Sequence, residues 1–294
     1  MEYQQLGGSG LWVSPICLGT MMFGDRTDAA TSQRIIAAAL DAGVNFIDTA
    51  DVYSKGGAER IVGPAIKTHR RHWILATKVG NVMTAKPHDG GSSRRWVSAA
   101  CDDSLARLTA DYIDIYYLHK DDPDTPMAET VGALGDLIRA GKIRYIGLSN
   151  FRGWRIAEVV SECEAQGVPI PAVCQPYYNL LNRTPEVEIL PACDHYGIGV
   201  APYSPVARGI LTGKYKPGAK FPPGDARHEQ KPEEIERKLR DVEKISREEV
   251  PPGVPMAQWA LAWCLKHPAV TAVIPGCKDV KQVESNAKAA DLVP

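Results

Sequence analysis

The sequence lacks the features that mark membrane proteins and nucleic-acid-binding proteins. Its longest uninterrupted run of apolar side chains is seven residues, from Trp259 to Leu265, whereas a transmembrane helix needs about twenty. The 34 basic and 35 acidic residues leave a net charge of −1, so there is no general attraction to phosphate backbones or to anionic lipid. We therefore expect a soluble protein with neither a nucleic acid nor a membrane as its partner.

The cysteines are poorly spaced for disulfide or metal chemistry. The seven cysteines are odd in number and at least eleven residues apart, so the chain has no CxxC motif. The amino terminus also lacks the basic segment and the following apolar segment of a secretory signal. We expect reduced and mostly buried thiols, no metal site, and a cytoplasmic location.

What the sequence does contain is a regular alternation of short apolar runs and longer amphipathic segments. Eight runs have the composition of buried strands, at 16–18, 45–48, 73–78, 113–118, 145–149, 172–175, 199–203 and 271–274. Segments with helical periodicity lie between them, including 31–42, 58–67, 94–108, 128–140, 154–165 and 255–266. Gly43, Gly141 and Gly167 follow three of these segments, where helices commonly end in a left-handed residue. Alternation of this kind is typical of βα units around a parallel sheet.

Eight such units in one chain favour a closed barrel over an open sheet, because nothing marks a midpoint where the strand order would reverse. We predict an α/β fold with a single (β/α)8 TIM barrel as one domain over 1–294. A hairpin over 3–13 would precede the barrel and could cover its floor. Two segments depart from the alternation of strands and helices: a long loop is predicted over 204–231 and a charged extra helix over 233–249.

Polar side chains stand at the C-terminal ends of several predicted strands. Asp48, Lys78 and His119 each end an otherwise apolar run, and Tyr53 follows Asp48 by five residues. Taken alone, each has an ordinary structural explanation, since an aspartate can cap a turn and a lysine can extend to solvent. The same ends of neighbouring strands meet at one mouth of a barrel, where barrel enzymes keep their catalytic groups. We therefore expect these four side chains to lie together.

An acid, a tyrosine, a lysine and a histidine in one pocket suit the reduction of a carbonyl group. We predict that the Lys78 ammonium lowers the pKa of the Tyr53 phenol from its usual value of about 10, so that the phenol acts as general acid. Asp48 would neutralise and orient the lysine, and His119 would hydrogen-bond the substrate oxygen. No protein side chain donates hydride, so this chemistry implies a nicotinamide cofactor.

Other polar residues at the same strand ends could hold such a cofactor. Ser149, Asn150 and Gln175 can pair with a carboxamide, and the Tyr203 ring offers a flat surface for a nicotinamide. The last strand and helix supply Gly276, Lys278, Gln282 and Asn286. The start of that helix would favour phosphate, although Gln282 and Asn286 could equally form a polar helix face.

Together these segments resemble the aldo-keto reductase family, in the family's order and over nearly the whole chain. The matching segments are NFIDTADVY at 45–53, TK at 77–78, YLH at 117–119, GLSNF at 147–151, Gln175, PYSPVARG at 202–209, LTGKY at 211–215 and IPG at 274–276. The likeness is greatest to a bacterial branch that includes relatives of potassium-channel β subunits. Ser285 is a departure, because many relatives in this branch have a glutamate there.

The resemblance implies an enzyme that uses NADPH to reduce aldehydes and ketones, with a tetrad of Asp48, Tyr53, Lys78 and His119. It implies that Ser149, Asn150 and Gln175 bind the carboxamide and that Tyr203 stacks on the nicotinamide. The pyrophosphate would be lined by Ser204, Pro205, Ala207, Gly209, Leu211 and Lys214, with Arg227 as a further phosphate ligand. The adenosine end would be held by Gly276, Lys278, Gln282 and Asn286.

Two other functions fit parts of the pattern. Lys78 at a strand end is where barrel aldolases keep the lysine that forms a Schiff base. A regulatory subunit that binds NADPH without turnover would also carry the cofactor residues. The physiological carbonyl compound is not encoded in any motif. Six residues could line the substrate pocket or belong to the core: Met22, Phe23, Tyr53, Met83, Trp96 and Tyr178.

Overall fold

Seven strands form a parallel sheet in which the spatial order of the strands is their order in the chain. The computed structural model describes residues 1–222, 225, 227, 228 and 230–292. A two-stranded antiparallel hairpin, β1 and β2, comes before the sheet. The strands are β1 (Gln4–Gln5), β2 (Trp12–Val13), β3 (Cys17–Gly19), β4 (Phe46–Asp48), β5 (Ile74–Val79), β6 (Ile113–Leu118), β7 (Ile143–Ser149), β8 (Val173–Gln175) and β9 (Gly199–Val200).

The segment predicted as the eighth barrel strand pairs with both edges of this sheet. Val273 forms a parallel bridge to Ile16, next to β3, and Ile274 forms one to Tyr203, just beyond β9. The bridges are isolated and do not make a continuous ladder, but they join the first strand of the sheet to the last. This closure agrees with the predicted (β/α)8 barrel, and the N-terminal hairpin is present as expected.

Alternate side chains of each strand point into the barrel and out toward the helices. Phe46, Ala76 and Ile115 belong to a cluster that fills the barrel interior, whereas Ile47 and Leu75 pack in the larger layer between strands and helices. The hairpin is bound to the floor of the barrel, since its Leu6 and Val13 belong to the interior cluster and its Gly8 N–H donates to the Gly197 carbonyl at 2.7 Å. The predicted site lies at the opposite end of the barrel, where the C-terminal ends of the strands meet.

Helices cover the outside of the barrel close to where the periodicity places them. They are α1 (Ala29–Asp41), α2 (Gly57–Ile66), α3 (Arg94–Leu108), α4 (Met127–Arg139), α5 (Gly153–Gln166), α6 (Ile189–Tyr196), α7 (Pro232–Glu248), α8 (Met256–Leu265) and α9 (Val280–Ala287). Gly43, Gly141 and Gly167 all have positive φ just after their helices, as predicted. Across the described ranges, no helix has both the length and the apolar character needed to cross a bilayer.

The segment predicted as a long loop contains local structure. A 3-10 turn, Ala207–Thr212, packs with α7 and α8 in a separate apolar cluster. The predicted loop includes positions 223, 224, 226 and 229, which lie outside the described residues. All seven cysteines are buried and unpaired, which agrees with the expectation of reduced, mostly buried thiols.

Candidate active site

The structure brings the four predicted catalytic side chains together at the C-terminal mouth of the barrel. Lys78, near the end of β5, is fully buried. Its Nζ donates to Asp48 Oδ1 at 2.5 Å, to the Thr49 carbonyl at 2.8 Å and to the Tyr53 hydroxyl at 3.3 Å. All three protons of the ammonium group are therefore directed to acceptors, and one of these acceptors is the phenol predicted to act as acid.

Burial decides the protonation of the tyrosine. Loss of solvent raises the pKa of the Tyr53 phenol, and the nearby Lys78 ammonium offsets this rise only in part. The prediction of a lowered phenol pKa was therefore wrong for this form of the protein, because it counted the lysine charge without the desolvation that comes with burial. The pKa of Lys78 itself is raised despite its burial, since Asp48 and Tyr53 both favour the charged amine.

His119 faces Tyr53 edge to face, with ring centroids 5.9 Å apart. Burial and the charges of Lys78 and Lys120 lower the pKa of the imidazole to about 3, so the ring is neutral at pH 7. The Asn81 amide nitrogen lies 2.9 Å from Nδ1 of His119. An amide NH2 only donates, so Nδ1 is the acceptor and Nε2 carries the ring proton. Sequence reasoning missed Asn81, which lies three residues beyond Lys78.

The residues predicted to hold the carboxamide form one hydrogen-bond chain with the tetrad. Gln175 Nε2 donates to Asp48 Oδ2 at 2.9 Å, and the Ser149 hydroxyl donates to the Gln175 carbonyl at 2.9 Å. Asn150 Nδ2 donates to the Ser149 hydroxyl at 3.0 Å. Its Oδ1 accepts from the Tyr203 hydroxyl at 3.0 Å. This series of hydrogen bonds connects the buried Asp48 carboxylate to the half-buried Tyr203 ring and holds both side chains in position.

Backbone strain is concentrated at the same mouth. Within the described ranges, seven residues other than glycine have positive φ, and one of them, Thr109, simply ends α3. The other six adjoin or belong to the predicted site: Ser54, Lys55, Asn150, Ser204, Ala207 and Arg208. Non-glycine residues in this conformation cost free energy and tend to cluster where function requires a fixed backbone.

The turn predicted to line a pyrophosphate brings two cations close to a bare backbone. Gly209 has a φ of +88°, and a Cβ added there would lie 3.2 Å from an Arg227 guanidinium nitrogen and 3.9 Å from Lys214 Nζ. Arg227 is held in place by its ion pair with Asp225. Ala207 and Leu211 are buried in the adjoining cluster, and Pro205 is also buried. Glycine backbone and two cations are groups that can bind a diphosphate, and in this structure Arg227 donates to Asp225 and to the Arg208 carbonyl.

The residues predicted to hold the adenosine end of the cofactor make hydrogen bonds with one another and with neighbouring residues of this chain. Lys278 precedes α9, and its backbone N–H donates to Gln282 Oε1 at 2.9 Å. The Asp279 carboxylate caps α9 by accepting from the Gln282 N–H, so this amide is already paired. Asn286 Nδ2 lies 3.3 Å from Cys277 Sγ. Nearby, the Ser285 hydroxyl accepts from Gln258 at 3.1 Å.

Three of the apolar residues considered for the substrate pocket are core residues. Phe23, Trp96 and Tyr178 are buried and pack between the barrel and its helices. Met22 instead lies near Gly276, with its Cε 3.2 Å from the position of an added Cβ. Met83 is partly buried against the same core, whereas Met22 lies beside the predicted cofactor residue Gly276.

Comparison with known proteins agrees with this geometry. The model of the Aldo/keto reductase family matches residues 15–294. An uncharacterised oxidoreductase, YrpG, of Bacillus subtilis is 38% identical over 99% of this chain and 92% of its own. A probable voltage-gated potassium channel subunit β of Arabidopsis thaliana is 36% identical over 100% of this chain and 92% of its own. The L-glyceraldehyde 3-phosphate reductase of Escherichia coli K12 is 33% identical over 98% of this chain and 87% of its own. The chain belongs to the aldo/keto reductase family of oxidoreductases.

Proposed function

We propose that this protein is an NADPH-dependent carbonyl reductase in which Tyr53 is the general acid. The observation that carries the proposal is the position of Lys78 Nζ, which bonds both the Asp48 carboxylate and the Tyr53 hydroxyl in a buried site. A buried ammonium held against a phenol stabilises the phenolate that forms when the phenol gives up its proton. This is the arrangement that protonation of a carbonyl oxygen requires.

The residues around the mouth fit a nicotinamide dinucleotide. Lys214, Arg227 and the bare backbone at Gly209 suit its diphosphate, and the Tyr203 ring suits its nicotinamide. The family pattern implies that Ser149, Asn150 and Gln175 contact the carboxamide. When bound, the cofactor supplies the hydride that reduces the carbonyl carbon.

The protein groups act on the carbonyl oxygen. Because its pKa is raised, the Tyr53 phenol keeps its proton at neutral pH and has it available to give. Nε2–H of the neutral His119 donates a hydrogen bond to the same oxygen and orients it. Asn81 keeps that tautomer in place through Nδ1. The Lys78 ammonium then balances the charge left on Tyr53, and Asp48 holds the ammonium.

The structure disfavours the Schiff-base aldolase. A lysine nucleophile must be neutral to attack a carbonyl, but the pKa of Lys78 is raised and its ammonium donates to three acceptors. The second alternative, a regulatory subunit without turnover, corresponds to the names of the potassium-channel relatives. It differs from the proposal only in whether bound NADPH is consumed.

The test is aldehyde-dependent loss of NADPH absorbance by purified protein, with Tyr53→Phe as the key variant. We expect Tyr53→Phe to lower turnover by at least about 100-fold while its NADPH dissociation constant stays within a few-fold, because only the proton donor is lost. Tyr145→Phe, at the barrel floor, removes the same atom far from the mouth and should remain active. A Tyr53→Phe variant with a tenth of wild-type turnover would refute the assignment. Wild-type protein that binds NADPH but reduces no aldehyde would favour the regulatory subunit.

A further inference from the structure

A buried carboxylate outside the tetrad, that of Glu59, is bound by two other parts of the barrel. Glu59 lies in the first turn of α2 and is fully buried. Its Oε1 accepts from the Thr77 hydroxyl at 2.6 Å, and its Oε2 accepts from Nε of Arg107 on α3 at 2.5 Å. Nη2 of Arg107 also donates to the Ser104 hydroxyl at 3.0 Å, which holds the guanidinium against its own helix. One carboxylate therefore joins α2, α3 and β5.

The bond from Thr77 fixes β5 beside Lys78. Successive side chains of a strand point to opposite faces, and here Lys78 reaches into the mouth while Thr77 faces α2. Thr77 is fully buried, as Glu59 is. The Glu59 carboxylate therefore holds β5 against α2 at the residue next to Lys78.

The bond from Arg107 supports the turn that carries the general acid. This turn, Tyr53–Gly56, leads directly into α2, and its last three residues all have positive φ. A Cβ added to Gly56 would lie 2.6 Å from Cδ of Arg107, so the arginine side chain packs directly against the Gly56 backbone. Positive φ costs free energy in residues other than glycine and persists only where neighbouring groups hold the backbone. Arg107, fixed by Glu59, is one such group.

The pair of Glu59 and Arg107 is poorly suited to be only a source of stability. Removing a carboxylate and a guanidinium from water costs about as much free energy as their attraction returns, so buried ion pairs add little net stability. Hydrogen bonds between charged groups do fix the relative position of the elements that they join. Here those elements carry Tyr53 and Lys78, whose contact of 3.3 Å is the longest of the three bonds of Lys78 Nζ. That contact has the least room to lengthen before the hydrogen bond is lost.

We propose that Glu59 is a positioning residue for carbonyl reduction, which keeps the Tyr53 hydroxyl within hydrogen-bond distance of the Lys78 ammonium. The inference rests on the proposed reductase function and adds a residue that acts without touching the substrate. Glu59 acts through Arg107 on the Tyr53 turn and through Thr77 on β5. Loss of its bonds should slow the proton transfer and leave the binding of substrate and cofactor nearly unchanged.

The first test is the steady-state reduction of 4-nitrobenzaldehyde with NADPH by Glu59→Gln. Glutamine has nearly the shape of glutamate, and it leaves no unpaired carboxylate in the core. The kcat should fall about 10- to 100-fold, while KM for the aldehyde and the NADPH dissociation constant stay within about threefold. An unchanged kcat would overturn the proposal. A loss of NADPH or aldehyde binding as large as the fall in kcat would also overturn it, because Glu59 would then act on binding.

The substitutions Thr77→Val and Thr77→Ser test the contact with β5 without altering any charge. This matters because the Glu59 charge also acts on the buried Asp51 carboxyl. Valine keeps the branched shape of threonine without its hydroxyl, and serine keeps the hydroxyl. Thr77→Val should lower kcat about threefold to tenfold, and Thr77→Ser should recover most of this loss. Equal kcat values in the two variants would contradict the proposal.

Asp114→Asn is the matched control for the loss of a buried ion pair. The Asp114 carboxylate accepts from Arg70 at 2.7 Å and from the Leu75 N–H at 2.9 Å, near the start of β6 and so at the floor of the barrel. Asp114→Asn should lower the free energy of unfolding in urea, as Glu59→Gln should, but leave kcat within about twofold. A fall in kcat as large as that of Glu59→Gln would show that activity follows stability, and the positioning role would be refuted.

Fluorine NMR separates this inference from the proposed function. With 3-fluorotyrosine at all 11 tyrosines, the Tyr53 and Tyr145 lines are those missing in Tyr53→Phe and Tyr145→Phe. Glu59→Gln should shift or broaden the Tyr53 line and leave the Tyr145 line unchanged. An unchanged Tyr53 line would overturn the positioning role whatever the kinetics. A displaced Tyr53 line, in a protein whose wild type reduces no aldehyde, would support the positioning of Tyr53 by Glu59 and refute the reductase.

Discussion

Replacing Asp51 with asparagine should stabilise the protein at pH 8 much more than at pH 5. Asp51 is fully buried, and no hydrogen bond of normal geometry reaches either of its carboxyl oxygens among the described residues; the nearby backbone N–H of Val52 opposes the effect of burial only in part. Burial and the neighbouring Glu59 charge raise the pKa of its carboxyl from 3.8 to about 7. The other charges that act on it are those of Arg107 and Lys78.

The sign and size of the effect follow from linkage. A carboxyl whose pKa is higher in the folded state than in the unfolded state adds stability below pH 3.8 that is lost as the pH rises through about 7. A shift of roughly three units at 1.36 kcal/mol each corresponds to about 4 kcal/mol, of which about 2.5 kcal/mol falls between pH 5 and pH 8. Asparagine has a similar shape but does not ionise, so the substitution removes this pH dependence of the free energy of unfolding.

The assay is the free energy of unfolding from urea titrations at several values between pH 5 and pH 8. The difference between Asp51→Asn and wild type should grow by about 2.5 kcal/mol over this range and level off near pH 8. A difference that does not depend on pH would refute the reasoning, since Asp51 would then titrate alike in both states.

Asp28→Asn is the control for this experiment. The Asp28 carboxylate caps α1 by accepting from the Thr31 N–H and hydroxyl, and the backbone N–H of Thr31 makes the largest contribution to lowering its pKa. The stability that Asp28 adds is present above its ordinary pKa and is lost only as the pH falls below it. The difference between Asp28→Asn and wild type should therefore be flat between pH 5 and pH 8.

Three further substitutions test the tetrad, its neighbour Asn81 and the predicted cofactor site. Lys78→Met should be nearly inactive, and the pH profile of any residual rate should move upward because Tyr53 loses the charge that offsets its burial. It should also cost roughly 3 to 5 kcal/mol in a denaturation curve, because the buried Asp48 carboxylate keeps its hydrogen bond from Gln175 but loses its cation. Asn81→Asp should lower kcat about tenfold with unchanged NADPH affinity, because a carboxylate draws the ring proton to Nδ1; an unchanged kcat would remove Asn81 from the mechanism. Lys278→Ala should weaken NADPH by about 5- to 30-fold and hardly affect NADH if its ammonium meets the 2′-phosphate, whereas equal losses in fluorescence titrations would exclude that contact.

Much of the architecture could be read from local pattern. The predicted segment 94–108 has the bounds of α3, and the predicted extra helix at 233–249 is shifted by one residue from α7. α6 was not among the predicted helices, because it is only eight residues long and contains Pro191. The eighth strand was found by its apolar composition, but its pairing is limited to isolated bridges, which depend on the two edges it joins.

The sequence by itself determined the barrel and the convergence of Asp48, Tyr53, Lys78 and His119, because strand periodicity and a parallel order bring polar strand ends to one mouth. Only the tertiary structure decided how those groups titrate. The net rise in the pKa of Tyr53 depends on how much water burial removes, and the tautomer of His119 depends on Asn81 lying within 2.9 Å. The unpaired burial of Asp51 is likewise a property of the packed state. Protonation depends on solvent access and on distances between side chains, and neither is a property of positions along the chain.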